Sequence, residues 1–249
     1  MSGIDLESAE LTAEGLKHDR RYMLIDEHGT FISQRKFPQL ARFILKFSEN
    51  GFNVEFDGEQ IEIGFDQISD NKIEVQVWKD RFLATLAIDT VNDWFSDLLG
   101  MAVRLVHFGS DSYRVRNRNG HVFRTAFADG YPVLVCNESS LNSLQQTIGD
   151  DIAMDRFRPN IVVTGLEAFE ELNGNFVIVR NSTSTVMKKC ERCAVPTVDQ
   201  QTGIRTGKEP IKTLTEMYSG TPVFGMSAAF EKAVTIKVGD EMVWDLSDQ

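Results

Sequence analysis

Lys72-Ile73-Glu74-Val75-Gln76-Val77-Trp78-Lys79-Asp80-Arg81-Phe82-Leu83-Ala84-Thr85-Leu86 is the stretch whose reading decides the fold. Two β-rich runs, Lys72–Trp78 and Arg81–Leu86, flank Lys79-Asp80, which has the composition of a hairpin connection. Upstream the pattern repeats. Tyr22–Ile25, Arg42–Phe47, Phe52–Phe56 and Ile61–Ile63 are short β-rich runs separated by turn signals, and Glu49-Asn50-Gly51 reads as a second hairpin connection. Many short strands at this spacing predict a barrel or sandwich, not a parallel α/β sheet.

Downstream, Val103–Phe108, Ile161–Thr164, Phe176–Arg180, Val186–Lys189 and Thr235–Trp244 resume the strand pattern. Two helices interrupt it. Val91, Trp94, Phe95, Leu98 and Leu99 recur at helical spacing, with Thr90 as the expected N-cap and Gly100 just past the end. A second runs from Glu138 to Ile148, capped by Asn137 and followed by Gly149. The polar stretch Gly109–Gly120, carrying Arg114, Arg116, Arg118 and Asn119, predicts a mobile loop separating two domains, 1–108 and 109–249. The fold class expected is α+β, mainly β.

The chain has 249 residues, with 26 Lys and Arg against 37 Asp and Glu, a formal net charge of −11. That balance argues against a nucleic-acid or anionic-membrane surface, which is built from clustered cations. No apolar run approaches the roughly 20 residues that span a bilayer. The N-terminus lacks a basic region followed by an apolar one, so no signal peptide is expected. Three cysteines without a secretory signal predict reduced thiols in the cytoplasm.

The chemistry concentrates in Lys189-Cys190-Glu191-Arg192-Cys193-Ala194-Val195-Pro196-Thr197-Val198-Asp199. A thiolate is the soft donor a heavy transition metal takes. The Cys-x-x-Cys spacing admits three readings. A structural zinc site needs four ligands, whereas Cys136, His18, His28, His107 and His121 are scattered without ligand spacing. A thioredoxin-like pair opens a helix, whereas Ala194–Val198 reads as extended. Two structural thiols remain the plain alternative.

The order of motifs adds to this. Gly15-Leu16, Asp19-Arg20, Tyr22–Asp26, Gly29–Ile32 and Gln34-Arg35-Lys36-Phe37-Pro38 come first. Phe127-Ala128-Asp129-Gly130-Tyr131-Pro132, Asn137–Leu141, Phe157-Arg158-Pro159-Asn160, Cys190-Glu191-Arg192-Cys193, Thr197-Val198-Asp199, Glu209-Pro210, Phe224-Gly225 and Ile236–Asp240 follow. This ordered set resembles the MOSC-domain family of molybdenum-cofactor proteins over nearly the whole chain, and within it the bacterial relatives of amidoxime-reducing enzymes. The resemblance implies an N-terminal β-barrel domain packed on a MOSC β-barrel domain with a few helices. It implies Cys193 as catalytic residue and metal ligand, with Cys190 a neighbour. It implies cofactor contacts at Arg20, Arg158, Asn160 and Arg192, completed by backbone groups around Gly130, Tyr131 and Glu191. Arginine is the preferred fork for the cofactor's phosphate.

The activity implied is molybdenum-cofactor-dependent two-electron reduction of small N-hydroxylated substrates. Electrons are expected from a separate iron–sulfur or flavin protein, since three cysteines cannot ligate a [2Fe–2S] cluster and no Gly-x-Gly-x-x-Gly turn joins a strand to a helix. Nucleic acid and membrane are not expected partners. Sulfur transfer through a persulfide on Cys193 and non-catalytic cofactor binding stand as alternatives. Three positions depart from the family pattern. No Pro-Val-Lys-Ser element precedes Ser2-Gly3-Ile4, and restoring one is expected to raise cofactor loading. Glu191 replaces a small polar residue, and Ser227 stands where some relatives carry Tyr.

Overall fold

The hairpin at the centre of the N-terminal half forms one residue earlier than the composition predicts. Strands Ile68–Val77 and Asp80–Ala87 pair antiparallel with Val77 opposite Asp80, so the turn is Trp78-Lys79, with Trp78 at φ +58°. The computed structural model describes residues 1–118 and 120–246, leaving aside the side chains of Thr185 and Val186. Within them the protein is α+β and mainly β.

Two sheets make the N-terminal half. Tyr22–Ile25, Arg104–His107, Asp80–Ala87 and Ile68–Val77 lie side by side in that order, while Ile44–Ser48, Gly51–Phe56 and Glu59–Gly64 form a meander. Between them sits an aromatic core in which Phe43 stacks on Phe56 at 4.2 Å and meets Phe95 at 5.6 Å. Fully burying each such side chain stabilises the fold by roughly 1.5–3 kcal/mol. Phe95 comes from helix α1 (Asp89–Leu99), whose N-cap is Ile88 and not Thr90. The helix start is held by tertiary bonds instead. Buried Asn92 donates to the Ala87 carbonyl at 3.0 Å and accepts from the Leu105 amide at 2.8 Å. Helix α2 (Glu138–Ile148) has the predicted ends, with the Asn137 side chain accepting from the Ser139 amide and Gly149 left-handed.

The C-terminal half is built on a six-stranded sheet. Its order is Ile161–Val163, Val133–Asn137, Val223–Phe230, Ser182–Glu191, Phe176–Val179, Met242–Asp245, antiparallel except for the first pair. Val223–Phe230 is buried along its whole length. The expected single strand Thr235–Trp244 is two, Val234–Lys237 and Met242–Asp245, which join different sheets. Val234–Lys237 pairs with Ser8–Thr12 from the other end of the chain, so the two halves share a sheet.

The Gly109–Gly120 stretch is not the mobile loop expected. Val115–Arg118 pairs with His121–Arg124 as a hairpin, and Arg114 is 3% exposed. Asn119 lies outside the described residues. The polar composition hid a buried cation that ties the segment down. Val195–Thr197 likewise forms a 3-10 turn where an extended run is expected, because Pro196 at its start tolerates helical geometry.

Candidate functional site

Cys190 is the next-to-last residue of the long strand Ser182–Glu191, and Cys193 follows in the loop before the Val195–Thr197 turn. Both thiols are free and half-buried. Two residues of strand-end geometry send them different ways. The Cys190 Sγ packs beside the Leu141, Leu144 and Phe224 cluster and accepts from Arg192 Nη1 at 3.1 Å. The Cys193 sulfur instead meets the Arg35 guanidinium, delivered from the N-terminal half. Arg35 also donates to Asp129 Oδ2 at 2.5 Å and lies over the Trp78 ring at 4.6 Å. Burial works against its charge, but the Asp129 carboxylate and Cys193 raise its pKa above the ordinary arginine value. Gln34 beside it bonds buried Gln200 across the two halves at 3.1 Å.

Three further arginines form a connected group. Arg192 donates its backbone amide to the Pro222 carbonyl at 2.7 Å and Nη2 to the Phe157 carbonyl at 2.6 Å. Its Nε is buried without a hydrogen-bond partner. Phe157 is fully buried, stacked on Phe224 at 3.9 Å, so the carbonyl that Arg192 uses is fixed. Arg158 follows in the left-handed conformation at φ +55°, closing the Met154–Phe157 turn, and its Nη1 donates to the Met1 carbonyl at 2.7 Å. Arg20, also left-handed at φ +50°, donates Nη2 to the Arg158 carbonyl at 3.2 Å and Nη1 to Asn160 Oδ1 at 3.3 Å. Positive φ at two arginines is uncommon backbone that the surrounding contacts must hold.

Asn160 organises the group. Its Oδ1 accepts from the Leu134 amide at 3.0 Å, and Nδ2 donates to Asp19 Oδ2 at 2.7 Å. Asp19 in turn pairs with Arg20 and holds its pKa up. Arg158 fares differently: burial, then the neighbouring Arg20, lower its pKa to about 10. A cation pressed down by another cation, with an orphaned Nε nearby, is a cradle arranged for an anion.

Gly130 and Tyr131 complete one wall. Asp129, paired with Arg35, precedes them, and Tyr131 stacks on Phe123 at 5.0 Å. No atom lies within 4 Å of where a Gly130 Cβ would stand. A Cβ at Gly15, in contrast, would lie 2.6 Å from the Pro132 carbonyl oxygen, so only glycine lets the N-terminal segment close onto this wall. The Glu191 side chain points away from this group: it is exposed and paired with Lys188 at 3.0 Å. Thus Arg20, Arg158, Asn160 and Arg192 form one connected cluster, and Cys193 joins Gly130 through Arg35 and Asp129. Arg35, Asp129 and Asp19 are the residues that sequence reasoning left without a role. Each sits inside a quoted motif, which was the available signal.

Among the described residues no three of His, Cys, Asp or Glu gather as a metal site. The region thus gathers two free thiols, Cys190 and Cys193, with the guanidiniums of Arg35, Arg192, Arg158 and Arg20. The chain belongs to the MOSC-domain family: residues 1–102 match the MOSC N-terminal beta barrel domain and residues 123–243 the MOSC domain. It is 30% identical to mitochondrial amidoxime reducing component 2 of Bos taurus, over 96% of this chain and 77% of that protein. The same component of Rattus norvegicus is 31% identical over 96% and 78%, and component 1 of Mus musculus is 29% identical over 96% and 76%.

Proposed function

We propose that this protein is a molybdenum-cofactor-dependent reductase of N-hydroxylated compounds. The observation that carries the reading is that Cys193, next in sequence to Arg192, meets the Arg35 guanidinium, while Arg192 belongs to a cluster of arginines with unmet hydrogen-bonding capacity. The relatives named as amidoxime reducing components support the same substrate class.

When bound, the cofactor supplies two-electron redox chemistry at a molybdenum centre. Cys193 would supply a thiolate to it. Arg192, Arg158 and Arg20 hold its anionic end, with Asn160 keeping Arg20 in place. Arg35 fixes the sulfur by bridging it to Asp129, and the open side of Gly130 leaves room beside them. Overall, two electrons and two protons cleave the N–O bond, leaving an N–H product and water. Electrons come from a separate redox protein.

Protein from a cofactor-competent host should carry molybdenum and reduce benzamidoxime with reduced methyl viologen. Cys193→Ser should lose the metal while Cys190→Ser keeps most of it; equal retention in both sinks the assignment. Metal-free protein bearing labile sulfane sulfur on Cys193 would mark it as a sulfur carrier instead.

A further inference from the structure

We infer that the paired strands Val115–Arg118 and His121–Arg124, together with Tyr113, form the docking surface for an acidic one-electron carrier protein. The inference rests on the reductase reading, since it concerns how that site receives electrons.

Charge singles the hairpin out. The whole chain is acidic, at a net charge of −11. Around the hairpin the balance reverses: apart from Asp111, which pairs with Lys72, each neighbouring carboxylate is shared by two guanidiniums. Asp80 pairs with both Arg114 and Arg116, and Glu14 pairs with both Arg21 and Arg124. Exposed Arg118 adds a fifth cation, and with Arg114 buried four of the five remain accessible. A local cationic excess on an acidic molecule steers an acidic partner to one face while the rest of the surface repels it.

Apolar exposure falls in the same place. Tyr113 and Val122 are each 66% exposed, and the Arg124 guanidinium lies 5.4 Å over the Tyr113 ring. Apolar side chains rimmed by arginines have the make-up of a transient protein interface. The opposite face of the hairpin is tied to the candidate site. Phe123 is buried and stacks on Tyr131, and Arg114 Nη2 donates to the Asp129 carbonyl at 3.2 Å. A carrier seated here is therefore braced against the Asp129-Gly130-Tyr131 wall. Two reduced carriers each give up one electron as the N–O bond is cleaved; one proton leaves with the hydroxyl as water and the other stays on nitrogen.

The test uses cofactor-loaded full-length protein, benzamidoxime, and two donors: a reduced plant-type [2Fe–2S] ferredoxin and reduced methyl viologen. Ferredoxin binding is also titrated directly. In the double variant Arg118→Glu, Val122→Glu, the KM for ferredoxin and its Kd should rise about tenfold at low salt. Methyl viologen turnover and the melting temperature should stay at wild-type values. The wild-type KM should climb with added salt while the variant's stays flat. An unchanged ferredoxin Kd in the variant overturns the inference. So does wild-type binding to anionic lipid vesicles or duplex DNA without binding to ferredoxin. Failure of both donors with Arg118-dependent ferredoxin binding intact breaks the reductase reading and leaves the docking surface standing.

Discussion

Two regions of the molecule bury arginine, and they do it in opposite ways. At Arg114 the guanidinium is complete. Nε donates to Asp80 at 2.8 Å, Nη1 to the Ala126 carbonyl at 2.9 Å and to the Ala128 carbonyl, and Nη2 to the Asp129 carbonyl. Around Arg158 and Arg192 it is incomplete. Arg192 gives one nitrogen to sulfur, a weak acceptor, and leaves Nε with none. Arg158 has a carbonyl where a carboxylate would be expected, with Arg20 beside it. Burial lowers the pKa at both Arg114 and Arg158, yet only Arg114 has a bonded carboxylate to offset it. What separates a structural cation from a ligand-holding one is the completeness of its partners, because an unmet buried donor costs about 1–3 kcal/mol that a ligand can recover.

Removing Arg114 should break the first region outright. Arg114→Leu strands three carbonyls and leaves Asp80 with Arg116 alone, and breaking a buried pair costs about 3–5 kcal/mol. At about 2–4 °C per kcal/mol for a chain of this size, the melting temperature should fall by roughly 10 °C. The loss should be the same with or without cofactor. A calorimetric scan showing a shift under 2 °C would remove the contrast. Arg158→Leu is the matching change in the second region. It relieves repulsion from Arg20, so unfolding in urea should change by less than about 1 kcal/mol. Molybdenum content should nevertheless fall several-fold. Unfolding of Arg158→Leu with no cofactor-specific effect would make both regions structural.

Arg35 sharpens the comparison because it belongs to neither class fully: paired with Asp129, it still turns toward Cys193. Arg35→Gln should leave the melting temperature nearly unchanged and cut turnover with methyl viologen by roughly tenfold. Arg35→Lys should recover little of it, since a point charge cannot bridge sulfur and carboxylate as a planar fork does. Recovery to wild-type turnover by Lys would mean that charge alone is needed there.

The legibility of these features in sequence follows their range. Helix α2 was readable to the residue because its cap and its terminating glycine are local. Helix α1 was readable except at its start, where Asn92 bonds to a strand and replaces the local cap. Pairing of Ser8–Thr12 with Val234–Lys237 left no local signal, for register between distant strands is settled by the core they cover. At the site, motif order located Arg20, Arg158, Asn160 and Arg192, which the fold draws into one cluster. Arg35 lay in a quoted motif, but its approach to Cys193 depends on how the two halves close. Arg114 was read as a loop residue because composition reports polarity and not burial.

The smallest expected effect is a pH lever in the N-terminal half that should leave the cradle alone. His107 packs on Tyr22 at 4.8 Å, and burial, then Arg21, then His18 lower its pKa below 6.5. His18 is lowered as well, by burial and then Lys17 and Arg21. With the folded pKa depressed, the unfolded chain binds more protons between that value and 6.5. Stability is therefore fully present above pH 6.5 and is lost as pH falls through the window. Both rings are partly open to solvent, so the loss from each should stay below about 1 kcal/mol. Urea unfolding at pH 7.5, 6.5 and 5.5 should show a decline that His107→Gln makes shallower, with molybdenum content unchanged across the same pH range. A slope equal in wild type and variant would assign the acid sensitivity elsewhere. Metal loss that tracks His107 would mean the two regions are coupled through Arg21 and the Arg20 beside it.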